Sequence, residues 1–180
     1  MNAELIELRE LEERDTANIV RWRNDDEVRR NLFTQTLLTE EQHLRYFHTV
    51  VQSGRCRQYI IILKDTSPVD IGTVFLKNID AELNQAEFGI FIGEPQGRGK
   101  RISFPATNAT LQIAFESMGL RRVYLSVVGD NIPAIKTYLR IGFHEYDRET
   151  EAFPRNGHSV DIIHMEITKE QWECEQRGKN

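Results

Sequence analysis

The feature that most restricts the fold is a pair of apolar runs, each followed by a marked turn and then a helical pattern. Ala86–Ile92 reads as a strand, and after a loop holding Gly93, Gly97 and Gly99 the stretch Ser103 to Met118 takes helical spacing. Pro105 is tolerated in its first turn, where an amide has no intrahelical partner, and Gly119 is placed to end it. Arg122–Val128 reads as a second strand. Asn131 then caps a short helix with Pro133 in its first turn, Ile135, Tyr138 and Leu139 on adjoining faces, and Gly142 as its stop. Helices that follow strands in this way cross over a sheet.

The remaining periodicities complete the order. Glu4–Leu11 alternates as a first strand, and Asp15 to about Asn24 is helical, with Ile19 and Trp22 on one face. Thr39-Glu40-Glu41-Gln42 is a capping box that opens a helix carrying Leu44, Phe47 and Val51. Gln58–Leu63 and Ile71–Leu76 are strands separated by a turn around Pro68. Phe143 starts another strand, and Arg155-Asn156-Gly157 signals a hairpin leading into Val160–Ile167. The order β-α-α-β-β-β-α-β-α-β-β predicts an α/β fold: a mixed, mostly antiparallel sheet of six to seven strands flanked by about four helices. A length of 180 residues suits one domain, expected over 1–168, with 169–180 a polar tail that frays apart from Trp172.

Composition narrows the partners. The 23 basic residues against 28 acidic ones give a net charge of −5, which opposes electrostatic wrapping of nucleic acid. No run approaches the 18 apolar residues of a membrane span, and Met1 to Leu5 lack the basic-then-apolar start of a secretory signal. Cys56 and Cys174 form no disulfide framework. A cytoplasmic protein is expected. The five histidines show no ligand spacing, so no metal is expected.

Two segments carry the chemistry. Glu87 to Ser103 runs strand, basic glycine-containing loop, helix. A helix N-terminus offers unpaired amides and partial positive charge, glycines let the backbone approach an anion, and Arg98, Lys100 and Arg101 add three cations within four residues. The spacing is neither that of a Walker loop nor that of a dinucleotide fingerprint, and a solvated basic loop is the plain alternative. The second segment is Asn131-x-x-Ala134-x-x-x-Tyr138-x-x-x-Gly142-Phe143, in which Asn131 also reads as an N-cap and Tyr138 as partly core.

Together these segments resemble the GCN5-related N-acetyltransferases, the GNAT family, over about Leu5 to Ile167. The family's loop pattern, Gln/Arg-x-x-Gly-x-Gly/Ala, is met by Arg98-Gly99-Lys100-Arg101-Ile102-Ser103, with Arg101 in the first glycine position and Ser103 in the small-residue position. A register from Gln96 is the alternative and would lengthen the following helix. Ala86-Glu87-Phe88 and the hairpin Phe153-x-x-Asn156-Gly157-x-x-x-Asp161 look like the branch of ribosomal-protein alanine and spermidine acetyltransferases. Trp22-Arg23-Asn24 and Glu41-x-His43-Leu44 look more like enzymes that acetylate a 4-amino sugar on a nucleotide carrier.

The resemblance implies a GNAT-like fold and direct acetyl transfer from acetyl-CoA to a primary amine. It places the pantetheine arm along Ile90, Phe91 and Ile92, the pyrophosphate on Arg98 to Ser103, and a cofactor-arm contact at Asn131. Tyr138 falls where the family protonates the departing thiolate, a task a phenol of pKa about 10 can perform at neutral pH. Glu87 is the candidate base, against the alternative that it pairs with a nearby cation. Trp22, Arg23 and Asn24 are candidate acceptor contacts, with Trp22 in the core as the alternative. A small amine such as an amino sugar or polyamine, a protein N-terminus, and a non-catalytic CoA-binding role all remain open. A homodimer is expected.

Overall fold

A computed structural model describes residues 5–155 and 157–177. Strand β1 (Ile6–Glu10) leads to α1 (Thr16–Asn24), α2 (Asp26–Arg29) and α3 (Glu40–Tyr46). The meander β2 (Arg57–Leu63), β3 (Val69–Asp80) and β4 (Gln85–Ile92) follows. Then come α4 (Ser103–Gln112), β5 (Arg122–Val128), α5 (Ile132–Ile141), β6 (His144–Arg155), β7 (His158–Thr168) and α6 (Lys169–Arg177). The hairpin expected at Arg155-Asn156-Gly157 joins β6 to β7 antiparallel from Arg155↔His158, while Asn156 lies outside the described residues.

Seven strands form one sheet in the order β1-β2-β3-β4-β5-β7-β6. All neighbours are antiparallel except β4 and β5, whose parallel pairing covers only Gln85↔Arg122, Ala86↔Val123 and Glu87↔Tyr124. Beyond those positions β4 keeps β3 on one side, through Gly72↔Ile92, and loses its neighbour on the other. The sheet therefore opens into a cleft along the last five residues of β4.

Strand alternation sorts side chains to two layers. Ala86 and Phe88 of β4, Val123, Leu125 and Val127 of β5, and Ile163, Met165 and Ile167 of β7 join Leu111 and Phe115 in the larger core. On the opposite face Phe91 packs with Leu11, Ile19, Trp22, Phe47 and Ile60, beneath α1 and α3. Thr39 and Gln42 form the capping box read from sequence, at 3.2 and 2.9 Å.

Two parts differ from expectation. The described helices number six, because Asp25 caps the four-residue α2, its carboxylate accepting from Glu27 and Val28 amides. The tail does not fray over 169–177: it forms α6, opened by a second capping box in which Thr168 and Gln171 bond reciprocally. Trp172 anchors α6, 7% exposed, with its ring centroid 5.5 Å from that of Phe115. Residues 178–180 of the expected tail lie outside the described residues. Trp172→Ala is expected to lower unfolding stability by about 3–5 kcal/mol in a urea titration, the range for emptying a buried aromatic site.

Candidate active site

The cleft at the β4–β5 opening encloses about 1190 Å³ and reaches both layers: Glu87, Gly89 and Phe91 face one side, Phe88 and Tyr138 the other. Its floor follows from a missing side chain. At Gly89 a Cβ would sit 2.2 Å from the Phe75 ring, so only glycine lets Phe75 lie across the strand there.

At one end of the cleft stands the basic loop. Gly99 (φ 74°) and Arg101 (φ 58°) both adopt left-handed backbone. Arg101 thus takes, without being glycine, the conformation glycine adopts freely, at a cost of about 1–2 kcal/mol. The helix begins at Ser103 with Ile102 as its buried cap, which supports the register starting at Arg98 over the one starting at Gln96. Among the described residues, no amide from Gly99 to Ser103 donates to a backbone carbonyl. These free donors lie at the positive end of α4. Arg101, Lys136 and Arg140 line the same end of the cleft.

Arg98 does something else. Its guanidinium bonds Asp25 (2.9 Å), Glu27 (2.5 Å) and the Gly93 carbonyl (2.8 Å), so it clamps the loop to α2. Arg98 also lines the cleft, so the expected cofactor contact there stands as a proposal beside this structural role. Lys100 and Arg101 make no ion pair among the described residues.

On α5, Asn131 caps the helix as read from sequence, Oδ1 accepting from the Ala134 amide at 3.4 Å, and Gly142 ends it at φ 119°. Asn131 also lines the cleft, so the capping and site readings hold together. Tyr138 packs edge-on to Phe88 (6.3 Å between centroids) and against Phe143 (5.7 Å). Burial pushes its hydroxyl pKa well above the usual phenol value, so the group stays a neutral donor at physiological pH.

Glu87 lines the cleft from the other layer, with both oxygens held: Lys77 Nζ at 3.0 Å and Asn78 Nδ2 at 2.7 Å. The cation alternative is therefore realised. Of the three candidate acceptor contacts, only Arg23 reaches the cleft. Trp22 is 1% exposed, fills the space a Cβ on Gly93 would need, and donates its indole N–H to Glu94 at 2.8 Å. Asn24 is spent on both backbone groups of Leu38, at 2.8 Å each, pinning the segment before α3. Trp22 thus takes its core alternative and Asn24 holds a neighbouring segment, and neither lines the cleft. Arg23 donates to the Thr34 carbonyl at 3.1 Å, and burial lowers its pKa from the ordinary arginine value.

Sequence reading missed one constellation entirely. Ser126 of β5 lines the cleft, and its Oγ lies 2.9 Å from His164 Nδ1 on β7. His164 Nε2 in turn lies 2.8 Å from a carboxylate oxygen of Glu149 on β6. The three are brought together only by cross-strand register, Ser126↔His164 and Asp147↔His164, which no local spacing announces.

A profile described as an acetyltransferase (GNAT) domain matches residues 6–144. The chain is 27% identical over 172 residues to a spermidine N(1)-acetyltransferase of Vibrio cholerae, covering 96% of this chain and 97% of that protein. It is 30% identical over 104 residues to a putative ribosomal N-acetyltransferase of Bacillus subtilis, covering 58% and 56%. A crystal structure of spermidine N-acetyltransferase from Vibrio cholerae in complex with CoA and spermine superposes with a TM-score of 0.86, at 25% identity and 94% and 98% coverage. A dodecameric structure of that enzyme superposes at 0.80, with 25% identity and coverage of 93% and 96%. With the parallel opening, the free amides before α4 and the Asn131–Gly142 helix all in place, the chain belongs to the GNAT acetyltransferase family.

Proposed function

We propose that the protein is an N-acetyltransferase that moves the acetyl group of acetyl-CoA directly to a primary amine of a small molecule. The observation that carries this is the β4–β5 cleft, with unpaired amides and cations at one end and a neutral buried phenol at its wall. CoA fits the residues present. Amides of Gly99 to Ser103, with Arg101, Lys136 and Arg140, suit its phosphates, and the unpaired edge of β4 over Ile90 to Ile92 suits the amides of its arm. Asn131 stands where it can touch that arm. Acetyl-CoA supplies an activated thioester.

The chain's own residues do the rest. Backbone amides of the open β4 edge polarise the carbonyl as it gains negative charge. Tyr138 gives its proton to the sulfur as it departs, which only the neutral phenol can do. Glu87 faces the cleft with Lys77 on one oxygen and Asn78 on the other, an arrangement suited to orienting an ammonium. The relatives that act on spermidine support a polyamine-class acceptor. Self-association is supported by the dodecameric relative, and a homodimer is the smallest such assembly. No helix among the described residues is long and apolar enough to cross a membrane, and we place the protein in the cytoplasm.

In a thermal-shift titration, CoA and acetyl-CoA should raise the melting temperature while ATP does not. A hundredfold excess over Kd contributes about 2.7 kcal/mol, and no shift with either CoA species would refute the site. Tyr138→Phe should cut kcat by roughly a hundredfold or more with CoA affinity retained, because the ring that packs on Phe88 is kept. Arg101→Gly should leave stability equal or higher, since left-handed strain is relieved, yet weaken CoA binding by about fivefold, roughly 1 kcal/mol for one partly screened charge contact. Isothermal titration beside thermal melts separates those two effects.

A further inference from the structure

A second hydrogen-bonded chain leads out of the cleft, on the layer opposite Tyr138. The geometry points to a proton relay in which Ser126 takes the proton of the incoming ammonium while His164 and Glu149 carry it to solvent. The inference rests on the acetyl-transfer reading and adds a path for the ammonium proton to that reading.

Position comes first. The last parallel pair is Glu87↔Tyr124, so two residues further along each strand Gly89 and Ser126 flank the opening. Ser126 shares its layer with Glu87, since Val123, Leu125 and Val127 point the other way into the larger core. An ammonium entering beside Glu87 and the Ser126 hydroxyl therefore meet on the same side of the cleft.

Direction follows from the chemistry of the acceptors. An ionised carboxylate can only accept, so the 2.8 Å contact to Glu149 requires the hydrogen of neutral His164 on Nε2. Nδ1 is then a lone pair, and at 2.9 Å the Ser126 hydroxyl must be the donor to it. With its hydrogen turned to His164, Ser126 Oγ presents lone pairs to the cleft. His164 is held in a shallow site, its side chain 18% exposed and the Tyr146 ring 6.0 Å away, whereas Glu149 is 57% exposed. The chain thus runs from cleft to water.

The balance is complete. The ammonium loses a proton to Ser126 Oγ as the Ser126 hydrogen passes to Nδ1, leaving a neutral amine, a neutral serine and an imidazolium paired with Glu149. The imidazolium then releases its Nε2 proton through Glu149 to solvent, and tautomer exchange with water returns the hydrogen to Nε2 before the next turnover. The amine attacks the thioester carbonyl, the C–S bond breaks, and the sulfur takes the Tyr138 proton. The second amine proton restores the phenol.

Turnover with spermidine and with 2,2,2-trifluoroethylamine, an acceptor already neutral at pH 7, tests the relay. Ser126→Ala and His164→Gln should lower kcat for spermidine by roughly a hundredfold with the acetyl-CoA KM unchanged, and by no more than a few-fold for trifluoroethylamine. Ser126→Thr, which keeps the hydroxyl, should restore most of the rate. Equal losses with both acceptors, or none with spermidine, overturn the relay. Nitrogen-15 NMR of the wild-type protein gives a readout independent of turnover: the Nε2–H tautomer of His164 is expected, and an Nδ1–H tautomer overturns the proposal. Should the wild type acetylate neither amine while still binding CoA, the transferase reading is what fails, and the tautomer still decides the direction of the hydrogen-bonded chain.

Discussion

Everything that distinguishes this sheet depends on a pairing that stops early. β4 and β5 lie parallel for three residue pairs and then part, while β3 stays bonded to β4 to its end. A strand edge deprived of its neighbour carries backbone donors and acceptors that need partners, and water or an extended ligand must supply them. The single parallel pair in an otherwise antiparallel sheet arises because α4 crosses over between β4 and β5. The crossover also brings the amino end of α4 to the mouth of the opening, so the fold places anion-binding amides beside an unpaired edge with no further device.

Charge is distributed to serve that mouth. An acidic chain keeps its cations usable only where its carboxylates are engaged elsewhere. Asp25 and Glu27 are both taken by Arg98, and Glu94 by Arg21 and Trp22, whose hydrogen bonds hold its pKa below the usual carboxylate range. Arg98 pairs with the α2 acids and fixes the loop at Gly93. Arg101 is left with its charge unspent in a backbone conformation that glycine would take more easily. The strain and the charge sit on one residue.

Much of this was legible where the signal is local. The Asn131 cap, the Gly142 stop and the Thr39–Gln42 box are short-range hydrogen-bonding patterns, and each forms as its residues dictate. The same logic applied to Thr168 and Gln171 would have announced α6, but the polar composition of 169–180 masked it. Trp22 and Asn24 misled because a run of residues that resembles a family motif does not say whether a side chain faces a ligand or holds a neighbouring segment. Trp22 buttresses Gly93 and Asn24 grips Leu38. Ser126, His164 and Glu149 lie on three strands, and only register, which a single sequence does not encode locally, unites them.

In the proposed mechanism the sheet also separates the deprotonation of the ammonium from the protonation of the departing sulfur. Tyr138 packs on Phe88 in the larger core, where burial holds its hydroxyl protonated, as the proposed acid role requires. Glu87 and Ser126 occupy the opposite layer, where exposed Glu149 gives an exit to solvent. A donor that must hold its proton benefits from desolvation, and an acceptor chain that must discharge one benefits from contact with water. If both stood on one layer, the exposed chain would hydrate the phenol and the two transfers could short-circuit. The opening between β4 and β5 is where the layers communicate, so in the proposed mechanism the amine and the departing sulfur each meet their partner from opposite sides of the same strand pair.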